Sequence, residues 1–211
     1  MTVTINGTSG VTTPGVANTG NETITGNLAV TGAATAASLQ VGGVTTNVYP
    51  LVSGTAVAYT SFTATTYNDF TGIPSWVKRV TILFNGLSSS GTSTFLIQIG
   101  DSGGIENTGY SCLGSTISSA SAASSEYTAG FGIGGNASYA ATSTYSGFIV
   151  LDWFDTNTWC VNGTLAGVGQ THSKIVSGAK ALSAGPLTQV RVTTVNGTDT
   201  FDAGSINILY E

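Results

Sequence analysis

The side chains that could do chemistry are few and scattered. The one histidine, His172, sits in Gln170-Thr171-His172-Ser173 with no acid or base beside it to orient the ring as a proton carrier, so it reads as a surface residue. Gly109-Tyr110-Ser111-Cys112-Leu113 approaches the G-x-S-x-G turn of a nucleophilic serine and fails at its last position. Asp152 and Asp155 lie close together at a strand end, where alternation sends them to opposite faces or into a turn. They therefore do not form the facing carboxylates of glycoside hydrolysis. Asp155-Thr156-Asn157 offers oxygens to calcium without the loop spacing of an EF-hand. Cys112 and Cys160 lack a CxxC motif and a flanking His, which leaves two apolar thiols or a disulfide. Gly103-Gly104 and Gly134-Gly135 lack the lysine that follows a phosphate loop. Sequons begin at Asn6, Asn21, Asn136, Asn162 and Asn196, as expected by chance in a chain so rich in Ser and Thr. No catalytic residue, metal ligand or cofactor is expected.

Binding by loops is a different matter. The segment from Asp101 to Ser111 mixes carboxylates, an amide and an aromatic ring, a set that suits sugar hydroxyls and the apolar face of a pyranose. Asp101, Glu106, Asn107 and Tyr110 are the candidate ligand contacts there, and Tyr139 is a candidate in a second segment running to Tyr145.

The elements that must position these residues are strands. The chain has 211 residues, of which 41% are hydrophobic and 7% charged, with 29 glycines. A net charge of −5 from 5 Lys+Arg and 10 Asp+Glu leaves no basic patch for nucleic acid. No run reaches the ~18–20 apolar residues of a membrane-spanning helix. The hydrophobic content excludes highly charged disorder, and the glycines lack the triplet period of collagen. The start, Met1-Thr2-Val3-Thr4-Ile5-Asn6, carries no secretory signal pattern.

All Phe, Tyr, Trp, Lys and Arg lie from Tyr49 onward, so a module boundary is placed between residues 48 and 49. Residues 1–48 alternate Val, Ile or Leu with small residues in bursts closed by glycine, such as Leu28–Gly32 and Leu39–Gly43. One copy of such a segment buries too little to offset an ordering cost of ~1–2 kcal/mol per residue. It is therefore either a loose leader or a stalk in which copies intertwine, with Val30, Leu39 and Val41 at the shared interface. Residues 49–211 carry strand signals at Val77–Phe84, Thr94–Ile99, Phe148–Phe154, Thr158–Leu165, Leu187–Val195 and Ser205–Tyr210. Asn85-Gly86, Asp155-Thr156-Asn157 and Asn196-Gly197 read as turns, and Ser118–Glu126 as loop. The expected fold is all-β: a short N-terminal stalk followed by an antiparallel, jelly-roll-like β-sandwich head. Phe148-Ile149-Val150-Leu151 is apolar on both faces of its strand, which calls for a second apolar surface: either a contact between subunits, with Ile149 and Leu151 there, or a long loop of the same chain.

The segments TVTINGTSGVTTPG, GNLAVTG, SLQVGG and the terminal AGSINILYE together resemble tailed-bacteriophage fibre proteins. That resemblance implies a homotrimer with a slender stalk and a sandwich head that touches a host surface glycan, assembled in the host cytoplasm and carried on the virion. It implies other virion proteins as partners, with no nucleic acid and no membrane insertion. The chain departs from longer members in having no evident N-terminal docking domain, so tail and capsid attachment both stay open. A capsid decoration or head-fibre protein without receptor specificity is the alternative, and a polysaccharide depolymerase is disfavoured by the lack of paired carboxylates.

Overall fold

The computed structural model describes residues 39–41 and 44–46 as backbone, and residues 51–60, 64–135 and 139–211 in full. The chain divides between Val48 and Tyr49 into two units. In the first, β1 (Leu39–Val41) pairs antiparallel with β2 (Val44–Thr46), Val41 facing Val44 across a two-residue connection. Leu39 and Val41 thus belong to a hairpin strand, while Val30 lies outside the described residues.

The second unit is built from two antiparallel sheets, consistent with a β-sandwich, and its described residues contain no α-helix. The nine-stranded sheet runs in the order β10 (Ala122–Tyr127), β9 (Ser111–Ser118), β14 (His172–Ala181), β13 (Thr158–Val168), β12 (Thr144–Asp155), β6 (Arg79–Ser89), β16 (Phe201–Tyr210) and β3 (Val52–Ser53), with β4 (Val57–Tyr59) also on β16. The five-stranded sheet runs β11 (Phe131–Gly132), β7 (Phe95–Asp101), β15 (Gln189–Thr194), β5 (Tyr67–Thr71), with β8 (Gly104–Ile105) on β7.

Period-two alternation supplies the core between the layers. Phe95, Ile97 and Ile99 on β7 are fully buried, as are Ile149 and Leu151 on β12 and Ile82 on β6. The Phe95 ring joins the sheets, with its centroid 5.7 Å from that of Tyr145 on β12 and 5.6 Å from that of Phe201 on β16. Each such side chain contributes ~1.5–3 kcal/mol by leaving water. Ile149 and Leu151 therefore lie in the core of their own chain, which corrects their expected place at a subunit contact. Their neighbours Phe148 and Val150 take the outward positions, Phe148 being 58% exposed.

Two further expectations change. Asn85-Gly86 is not a turn, because β6 runs straight through it. It forms a bulge with Gly86 at φ +63°, where β6 carries one more residue than β12 and β16 on either side. Ser146 Oγ accepts the Gly86 N–H at 2.8 Å, which satisfies the donor that the bulge takes out of the ladder. Part of Ser118–Glu126 is the edge strand β10, whose Ala and Ser residues pair with β9 without supplying a large apolar face.

The layers approach closely at Gly114 on β9. A Cβ there would stand 2.4 Å from the backbone oxygens of both Gly132 and Gly134. Gly114→Ala is expected to cost ~1–3 kcal/mol in urea unfolding, because backbone rather than a movable side chain blocks it. Gly169→Ala, with φ +74° and nothing within 4 Å, meets only the left-handed backbone penalty of ~1–2 kcal/mol.

Candidate functional site

The segment between β7 and β9 uses its polar groups to fasten loops. Asp101 is 1% exposed. Its Oδ1 accepts from Gly103 N at 2.7 Å and its Oδ2 from Ala184 N at 2.6 Å. Glu106 Oε1 accepts from both the backbone N and the hydroxyl of Ser183, each at 2.7 Å, and Oε2 pairs with the largely buried Lys180. Burial alone would raise the Glu106 carboxyl, but Lys180 and the Ser183 donors outweigh it and hold it below its ordinary value. Tyr110, 4% exposed, accepts the Ile99 N–H at 2.8 Å and donates to the Glu106 carbonyl at 2.9 Å. Tyr139, 1% exposed, donates to the Ile133 carbonyl and packs its ring 4.2 Å from Phe95. Asp101, Tyr110 and Tyr139 are thus interior groups closed to a ligand, and Glu106 is spent on Lys180 and Ser183. Of the five candidates, Asn107 alone lies exposed.

Asn107 borders a depression of about 330 Å³ on the outer side of the five-stranded sheet. Across that side, Asp69 on β5, Arg191 on β15 and Gln98 on β7 stand in one row. Arg191 holds Asp69 through two bonds of 2.7 Å, Nε to Oδ1 and Nη2 to Oδ2, the bidentate geometry that fixes a guanidinium plane. That plane lies 4.1 Å from the ring centre of Tyr67, which is 49% exposed. An aromatic ring, a fixed planar cation and an unbound amide on a rigid sheet can grip a polyhydroxyl ligand by stacking and hydrogen bonds. No local pattern pointed to Tyr67 or Arg191, because β5 is short and their meeting depends on strand register.

All five cations of the chain are engaged in contacts within the protein. Lys78 lies 3.5 Å from the Trp153 ring centre, Arg79 bonds Asp152 at 2.7 Å, Lys174 bonds Thr116 Oγ1 at 3.1 Å, and Lys180 and Arg191 pair with Glu106 and Asp69.

The outer side of the nine-stranded sheet differs. Ser115, Ile175, Thr164, Phe148, Leu83 and Asn207 form one outward row across six strands, read directly from the pairing registers. The adjacent row includes Leu113, Val150 and Leu209. A shallow depression of about 530 Å³ lies here, lined by Leu51, Phe148, Val150 and Leu209 and bordered by Arg79, Asp152 and Glu211.

His172 is half-buried, with Nε2 3.3 Å from the Tyr145 hydroxyl, and is held below its ordinary pKa first by burial and then by the Lys174 charge. Asp152 points outward to Arg79, away from Asp155 at the β12–β13 turn, where Thr156 has φ +28°. Cys112 and Cys160 are separate thiols, and burial pushes Cys112 up to about 11. Among the described residues no cluster of three or more His, Cys, Asp or Glu could hold a metal ion. No protein-family model, curated protein sequence or solved structure matches the chain.

Lys174 has a testable signature. Its side chain is fully buried against the Tyr139 ring, and burial pushes its ammonium down to about 8. Between that value and an unfolded value of ~10.4 the unfolded chain binds more protons. Stability therefore rises with pH across this window, and the penalty is fully present below pH 8. Lys174→Met is expected to raise stability at pH 7 by roughly 1–3 kcal/mol and to flatten that rise, read from urea unfolding at pH 7, 8, 9 and 10.

Proposed function

We propose that this chain is a structural virion protein: a homotrimeric tailed-phage tail fibre whose C-terminal sandwich contacts a glycan on the host cell surface. Residues 1–48 act as the stalk, and the sandwich, of jelly-roll type, is the head, attached through other virion proteins. The observation that carries the reading is the open Tyr67–Arg191 stack beside the Asn107 amide on the outer side of the five-stranded sheet. Because Arg191 is already neutralised by Asp69, the groove suits uncharged sugars better than sialic or uronic acids. The residue composition, poor in charge and rich in Ser, Thr and Gly, and the fibre-like segments at both ends support the same reading.

The test is binding of the labelled full chain to host cells and to neutral and acidic oligosaccharides from the host envelope. Tyr67→Ala or Asn107→Ala is expected to weaken cell binding by about tenfold or more, in line with the ~1–3 kcal/mol that one aromatic platform or hydrogen-bonding group contributes. Melting temperatures should change little, since both side chains are exposed. A chain that decorates intact particles yet binds no host cell would be a decoration protein, and the receptor role would fall.

A further inference from the structure

The geometry points to the outer side of the nine-stranded sheet as the surface on which copies of this chain meet, an inference that rests on the homo-oligomer reading above. Three observations carry it. First, large apolar side chains are exposed on this side: Leu51 is 62%, Phe148 58%, Ile117 48% and Leu113 47% exposed. On β12 the inward positions are already filled by Ile149 and Leu151, so Phe148 and Val150 are surplus to the core of one chain.

Second, the two central rows carry no charged side chain over six strands, in a protein of net charge −5. A symmetric contact brings like groups toward like, so a face that meets its own copy must shed charge. The same neutrality gives a charged partner nothing to complement, which favours a second copy as the occupant. The outer side of the other sheet, with its Asp69–Arg191 pair, lacks this character.

Third, the size fits. Six strands spaced ~4.8 Å apart, over three uncharged outward rows about six residues tall at ~3.4 Å each, present roughly 600 Å², the lower end of what each partner gives to a stable complex. Ser115, Thr164 and Ser177 between the apolar residues keep the face low enough for close approach.

Cys160 is a native probe of this surface. It is half-buried on β13 between the inward-facing Trp159 and Val161, so its thiol lies on the outer side, in the row of Asp152 that borders the uncharged rows, whereas Cys112 is interior. The experiment measures mass by light scattering and Cys160 labelling by a maleimide, using the full chain and Phe148→Lys. The expected result is a multiple of the chain mass, with Cys160 labelled at least about tenfold more slowly in the wild type than in the variant. If Phe148→Lys fails to fold, Asn162→Lys, at an exposed position in the adjacent row, serves instead. An oligomer whose Cys160 labels equally fast in wild type and variant overturns this inference and leaves the homo-oligomer standing. A wild-type monomer at micromolar concentration overturns both.

Discussion

The pleat of β12 is the constraint on which the sandwich depends. A strand can send only every second side chain into the core, and β12 is apolar at four consecutive positions. Ile149 and Leu151 go in, Ile149 in register with Ile82 on β6 and through it with Ile208 on β16. In most half-buried strands a one-residue slip would drive polar groups inside and be rejected on that ground alone. Here the slipped strand would still present Phe148 and Val150, so its apolar centre does not specify the register. Its ends do, because Ser146 and Asp152 lie on the same side as Phe148 and Val150 and would be driven inward. Asp152 would then lose Arg79, its partner on the outer side. The Gly86 bulge, clasped by Ser146, pins the β6–β12 pair at one point. Register is thus set by the polar ends of the strand and the bulge beside it rather than by its apolar centre.

A second consequence follows from how few charges the chain owns. Two of its five cations, Lys174 and Lys180, are spent in the interior, and Asp101 is buried with them. Taking such groups from water costs several kcal/mol each unless partners replace the lost hydration. Asp101 and Glu106 find theirs in backbone donors of residues 183 and 184, so the loop after β7 and the loop after β14 are held as one piece. Rigidity at that end of the sandwich is obtained from polar groups that would otherwise face a ligand. Asn107, leaving this fastened loop, is positioned without being consumed by it.

The class of fold was legible because alternation is a local signal. Thr94–Ile99 and Ser205–Tyr210 show it plainly, and both are strands. What a single strand cannot show is the identity of its neighbours. Asn85-Gly86 carries the composition of a hairpin turn, and only the pairing of β6 with both β12 and β16 turns it into a bulge. β10 and β14 escaped notice for different reasons. The Ala and Ser of β10 give no periodic contrast, and β14 sends Lys174 and Lys180 inward where the pattern calls for apolar residues. The ligand residues were misplaced for a related reason. Asp101 and Tyr110 have the chemistry of a sugar site, but residue type does not reveal that Ala184, Ile99 and Glu106 stand within hydrogen-bonding distance. Tyr67 and Arg191 meet through the same kind of long-range register, more than a hundred residues apart in the chain.

The two layers give the proposed roles a geometric relation. Copies that meet on the outer side of the nine-stranded sheet turn the opposite layer away from their contact, so each Tyr67–Arg191 groove faces outward. A single groove of this kind is shallow, offers one exposed ring and one unbound amide, and would hold a neutral sugar only weakly. Several grooves fixed on one rigid assembly change the arithmetic. Once one is occupied, the others act at an effective concentration set by their spacing, and avidity can exceed the single affinity by ~10²–10⁴ without any new contact. A weak site on a stiff sheet would then be adequate for the proposed role of holding a densely repeated surface, and the proposed contact between copies through the apolar face would make the repetition available.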